Sequence, residues 1–149
     1  MTKPNGQPLI ILMADDDADD RMLTKDALLE SRVLNDLRFV EDGEELLDYL
    51  KGRGAHADRE KSPRPGLILL DLNMPKKDGR EALKEIKADP ELRRIPVVVM
   101  TTSKAEEDVY RSYDLGASSF ITKPVTFDRL VELMRTMGQY WVEFVELPE

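Results

Sequence analysis

A chain of 149 residues, 41% hydrophobic and 35% charged, has the size and make-up of one ordinary domain with its own core. Its formal charge of −8, from 22 basic against 30 acidic side chains, argues against a nucleic-acid-binding surface, because phosphate affinity comes from clustered Lys and Arg. The lack of cysteine rules out disulfides, thiol catalysis and Cys-based metal sites. Residues 1–8 hold no signal-peptide core and read as a flexible N-terminus, and no apolar run approaches the ~20 residues of a membrane span. A cytoplasmic protein is expected. Five short apolar runs then follow as strands: "PLIILMA" (8–14), "LRFV" (37–40), "GLILLD" (66–71), "PVVVMT" (96–101) and "SSFIT" (118–122). Three of them are apolar on both faces, as strands are when helices cover both sides of a parallel sheet. Helix-period stretches separate them. The first, 19–30, sets Met22, Leu23, Ala27 and Leu28 on one side, and 44–51, 80–88 and 105–115 behave similarly, with Gly116 as a C-terminal stop. Residues 52–65 form a polar, Gly- and Pro-rich insertion, expected as a mobile surface loop in which His56 is solvated. Residues 126–147 read as a last helix plus a C-terminal extension.

This alternation gives βαβ units with right-handed crossovers: an α/β fold, (βα)5, a doubly wound five-stranded parallel sheet between two helical layers. Ligands of such sheets gather outside the carboxyl ends of the strands. The residues ending the strands therefore belong together: Asp15, Asp16 and Asp17 after the first, Asp71 after the third, Thr101 and Thr102 after the fourth, and Lys123 after the fifth.

In "MADDDADDRML", helix capping accounts for Asp17, Asp19 and Asp20. It accounts less well for two acids set directly against a strand end. A calcium loop would use Asp15, Asp17 and Asp19, but its sixth position would be Asp20 rather than Gly, its twelfth Asp26 rather than Glu, and a strand precedes it. Like charges ~4 Å apart repel by ~4 kcal/mol at an effective dielectric of 20, so Asp15, Asp16 and Asp71 raise one another's pKa or demand a cation. Oxygen ligands without His or Cys point to Mg²⁺, with Mn²⁺ as the other candidate. Lys123 adds a point charge suited to phosphate, and Thr101 a hydroxyl donor. A cation, an ammonium and a hydroxyl around one carboxylate suit a phosphoryl group on that carboxylate. A phosphatase of the haloacid-dehalogenase type would need a second Asp where Asn73 stands.

The acid pair after the first strand, "LLDLNMPKKDG", "VVVMTT" and "FITKP" together resemble the receiver domains of two-component response regulators, with their CheY-like fold, along nearly the whole chain. The resemblance implies that Asp71 is the phosphoacceptor. It also implies that Asp16 binds Mg²⁺ directly, Asp15 through water and Asn73 through its backbone carbonyl, and that Thr101 and Lys123 hold phosphoryl oxygens. Phe120 would be the aromatic that turns inward as Thr101 moves, and the peptide between Lys123 and Pro124 would be cis. Asn73 and Ser103 would tune the phosphoryl lifetime. A receiver is a phosphoacceptor that assists its own phosphotransfer and autodephosphorylation rather than an enzyme acting on other substrates. Its tail after Lys123 is too short for an effector domain, so the output is expected through protein contacts.

The tail "QYWVEFVELP", the insertion before "LILLDLN", "KKDGREAL" and "RRIPVVVMTTS" are similar to the small stand-alone receivers paired with cyanobacterial and bacterial phytochromes. That implies a sensor histidine kinase, a phytochrome, as phosphodonor, with no nucleic-acid or membrane partner. It further implies a homodimer built on the last strand, last helix and extension, with Tyr140, Trp141 and Phe144 at the partner surface. The alternative is a pseudo-receiver, the same fold kept as an unphosphorylated scaffold, against which the intact Asp71, Thr101 and Lys123 argue. Three consecutive acids, Asp15 to Asp17, depart from the usual pair and leave open which of them coordinate.

Overall fold

A computed structural model describes residues 9–32, 35–102, 106–123 and 126–139. The elements alternate as expected: β1 (Leu9–Ala14), α1 (Ala18–Glu30), β2 (Asn35–Val40), α2 (Gly43–Lys51), β3 (Leu67–Leu70), α3 (Gly79–Ala88), β4 (Val97–Thr101), α4 (Glu106–Asp114), β5 (Ser119–Thr122) and α5 (Phe127–Gln139). All strand pairs are parallel, in the order β2-β1-β3-β4-β5. β1, β3 and β4 are buried along their whole length or nearly so, which is why they are apolar on both faces. On one face Leu12, Leu70 and Val99 pack with Leu46, Leu83 and Ile86 of α2 and α3. On the other, Ile11, Leu69 and Val98 pack with Leu28 of α1 and Leu130 and Met134 of α5. Among the described residues no helix is long and apolar enough to cross a membrane.

Three readings of the sequence are corrected. β2 begins at Asn35 rather than at residue 37. It is an edge strand, half exposed over most of its length, so Asn35 and Asp36 can pair with Leu9 and Ile10, and Asp36 bonds Arg38 two residues along the same face at 3.0 Å. On α1, Ala27 and Leu28 are buried, but Met22 is 56% exposed and Thr24 takes the inward position. His56 is not solvated: its side chain is 16% exposed, set between Ser62 Oγ at 2.8 Å and Glu45 Oε2 at 3.1 Å and tilted against the Tyr49 ring. Residues 52–65 carry a short 3-10 turn, Gly54–His56. Arg59 donates to the Tyr49 and Leu50 carbonyls at the end of α2, at 2.7 and 2.6 Å, and the Tyr49 hydroxyl donates to the Pro63 carbonyl at 2.8 Å. The two Arg59 bonds add to the capping of carbonyls in the last turn of the helix. Gly116 does stop α4: its φ of +104° lies where side chains are strained, and its N–H donates to the Tyr113 carbonyl.

The expected N-cap of α1 is Asp17, whose Oδ1 accepts the N–H groups of Asp19 at 2.9 Å and Asp20 at 3.2 Å. Asp17→Ala should destabilise the protein by about 1 kcal/mol, read as a lowered urea midpoint at unchanged slope. An unchanged midpoint would show that the cap contributes nothing. Residues 1–8, Ser103, Pro124, Tyr140, Trp141 and Phe144 lie outside the described residues.

Candidate functional site

Strand register builds the site. Ala14 pairs with Leu70, so the next residue on each strand, Asp15 and Asp71, leaves the sheet beside the other. The ladder runs one bond further on each: Asp15 N–H donates to the Val40 carbonyl at 3.1 Å and Asp71 N–H to the Ala14 carbonyl at 3.0 Å. Thr101 pairs with Thr122, and Lys123 N–H donates to the Thr101 carbonyl at 2.8 Å, which brings the fifth strand's lysine to the same rim. The loop from Asp71 back to α3 closes tightly. Gly79 N–H donates to the Leu72 carbonyl at 2.9 Å, and a Cβ on Gly79 would stand 2.3 Å from the Asp71 carbonyl oxygen. Glycine is required there for close approach rather than for its dihedral freedom.

Lys123 is the centre of the charge arrangement. Its Nζ bonds Asp15 Oδ2, Asp20 Oδ2 at 2.9 Å and Asp71 Oδ2 at 3.3 Å, and its side chain is only 7% exposed. The other oxygens are fixed too: Asp15 Oδ1 accepts Asp17 N–H at 2.9 Å and Asp71 Oδ1 accepts Asn73 N–H at 3.0 Å. Burial raises the Asp15 carboxyl above the ordinary aspartate range; bonds from Lys123 and the Asp17 N–H oppose this, and the charge of Asp71 adds a smaller push upward. For Lys123, burial pulls downward, but the bonds to Asp15 and Asp20 outweigh it and hold the ammonium protonated above its ordinary value.

Asp15, Asp16 and Asp71 each place one carboxylate oxygen within 4.8 Å of the others, with Asp15 and Asp71 buried and Asp16 exposed. Two buried acids and one at the water face, all oxygen donors, fit a hard cation that keeps part of its hydration. The calcium-loop set does not assemble, because Asp17 is used as the cap of α1. Thr101 is buried, and its Oγ accepts the Asn73 side-chain amide at 3.3 Å, while Thr102 Oγ accepts it at 3.4 Å. Phe120 is half buried against the α2/α3 side of the core.

Two features were missed in the sequence. Asp20 lies in the first turn of α1 as expected, but its side chain also bonds Lys123, a role without a local signal. Arg80 holds Asp108 of α4 with Nε to Oδ1 at 2.8 Å and Nη2 to Oδ2 at 2.7 Å, a pair 28 positions apart that no local pattern announces.

The sequence matches the family described as response regulator receiver domain over residues 11–135. The chain belongs to the response regulator receiver family. This receiver is 42% identical over 148 residues to the response regulator Rcp1 of Synechocystis sp., covering 99% of each chain. Its fold superposes on the Mn²⁺-bound form of Rcp1 with a TM-score of 0.83 at 43% identity, covering 95% of this chain and 100% of the other. On the phosphorylated cyanobacterial phytochrome response regulator RcpA the TM-score is 0.85 at 42% identity, covering 95% and 99%. The five-stranded CheY-like architecture expected from the sequence is thus that of its relatives, and the receiver is related to phytochrome response regulators.

Proposed function

We propose that this receiver takes a phosphoryl group on Asp71 from a sensor histidine kinase, a phytochrome, and signals by protein contacts. The observation that carries the proposal is the setting of the Asp71 carboxylate, beside Asp15, with Oδ1 held by the Asn73 N–H and Oδ2 facing the Lys123 ammonium at 3.3 Å. Attack by a carboxylate oxygen of Asp71 forms a P–O bond as the P–N bond of a phosphohistidine breaks. The leaving imidazole keeps the electron pair and takes a proton. Charge builds on the phosphoryl oxygens, and Lys123 and the Thr101 hydroxyl would meet it. Mg²⁺, or Mn²⁺, held by Asp15, Asp16, Asp71 and the Asn73 carbonyl, would neutralise phosphoryl charge when bound. Autodephosphorylation is the return step, in which water attacks phosphorus and Asp71 is released. Phe120 would turn inward as Thr101 engages the phosphoryl group, and Tyr140, Trp141 and Phe144 would form the homodimer surface. A cytoplasmic location accords with such a kinase partner.

Intact mass after incubation with acetyl phosphate tests the reading. A Mg²⁺-dependent phosphoryl adduct on the native protein, absent from Asp71→Asn, is the expected result. No adduct on the native protein, with fluoroberyllate also failing to bind, would leave an unphosphorylated scaffold as the function.

A further inference from the structure

We propose that Arg80 is a positioning residue that couples occupancy of Asp71 to helix α4, an inference that rests on Asp71 being the phosphoacceptor. A polar chain runs from the site to α4. The Asn73 side-chain amide donates to Thr101 Oγ at 3.3 Å, Asn73 Oδ1 accepts Arg80 Nη1 at 3.5 Å, and the Arg80 guanidinium grips Asp108 through two bonds of 2.8 and 2.7 Å. The same guanidinium is steadied from α3's own cap, with Nη1 at 3.1 Å from Asp78 Oδ2. Its bonds to Asp108 hold it above the ordinary arginine range.

The bond lengths set where the chain gives way. The grip on α4 is short, charged and forked, the strongest class of side-chain hydrogen bond. Both contacts of Asn73 are long and weak. A phosphoryl group on Asp71 offers anionic oxygens to the Thr101 hydroxyl, and these compete with the contact from Asn73. Because Asn73 follows Asp71 by two residues and is tied to it through its N–H, it is directly exposed to any change at Asp71. Movement of Asn73 withdraws its Oδ1 from Arg80 Nη1, the guanidinium resettles, and its fork on Asp108, the link that persists, carries the change to α4. Only a planar fork reaches both ends; a lysine ammonium in the same place carries the charge but cannot give paired donors to Asp108 and a further donor to Asn73 at once.

The test uses fluoroberyllate with Mg²⁺ as the phosphoryl mimic, ¹⁹F NMR to show that it binds, and amide hydrogen exchange over 109–114 to follow α4. In the native protein, binding should change α4 exchange by roughly tenfold. In Arg80→Lys and Arg80→Met the bound ¹⁹F signal should persist while the α4 response is lost. Asp108→Ala cuts the same link from the far side, so it carries the test if an Arg80 variant fails to fold. A native-sized α4 response in folded variants that bind fluoroberyllate overturns the coupling and leaves the phosphoacceptor reading standing. Absence of a bound ¹⁹F signal in the native protein overturns both.

Discussion

Lys123→Met should destabilise the metal-free protein by about 3–5 kcal/mol, the cost of removing one partner from a buried ion cluster. Methionine keeps the stem's packing and deletes only the charge. What remains is Asp15 and Asp71, both buried and within 4.8 Å of one another, with Asp20 beside them and no cation among them. The repulsion between two such charges is ~4 kcal/mol at an effective dielectric of 20. The prediction has a second limb. A cation that binds the folded state alone stabilises it by mass action, and the acids left without Lys123 bind it more tightly than the compensated site does, so added Mg²⁺ should narrow the gap between variant and native protein. Urea unfolding at a series of Mg²⁺ concentrations reads both. A variant as stable as the native protein without metal would mean that the acids relieve themselves by taking up protons or water, and that Lys123 is dispensable to the fold.

Gly79→Ala should cost about 3 kcal/mol, at the upper end of ordinary overpacking, and should also disable the site. The nearest atoms the added Cβ would meet are all backbone: the Asp71 carbonyl oxygen at 2.3 Å, the Leu72 Cα at 2.7 Å and the Asp71 carbonyl carbon at 3.1 Å. No side chain can swing aside to make room. Either the start of α3 moves away, breaking the bond from Gly79 N–H to the Leu72 carbonyl, or the end of β3 moves and takes Asp71 with it. The second course lengthens the 3.3 Å contact with Lys123 and spoils the alignment with Asp15. Thermal unfolding, together with acetyl phosphate labelling of the folded fraction, distinguishes a cost in stability from a cost in chemistry. Native stability with native labelling would show that the loop opens freely.

How far the sequence could be read follows from where each signal lies. β1, β3 and β4 were legible because a strand covered on both faces must be apolar throughout, and the rim acids were legible because parallel strands end together. The start of β2 was hidden, since its polar residues are tolerated only because the strand lies at an edge, a fact of topology rather than of local pattern. The second role of Asp20 was hidden because an acid in a first helical turn has an adequate local explanation, while its partner Lys123 lies 103 positions away. His56 was misread for the same reason: its polar neighbours suggested solvent, but Glu45 on α2 and Ser62 across the insertion enclose it.

The ammonium that answers Asp15 is encoded 108 positions after it. During synthesis the first strand and its acids emerge early, and they wait uncompensated until β5 has left the ribosome and paired with β4. A chain stopped before Lys123 therefore carries the acids but not the cation that settles them. Completion of β5 and completion of the reactive centre are one event, so any enzyme that reads the assembled rim passes over chains that stop short of Lys123.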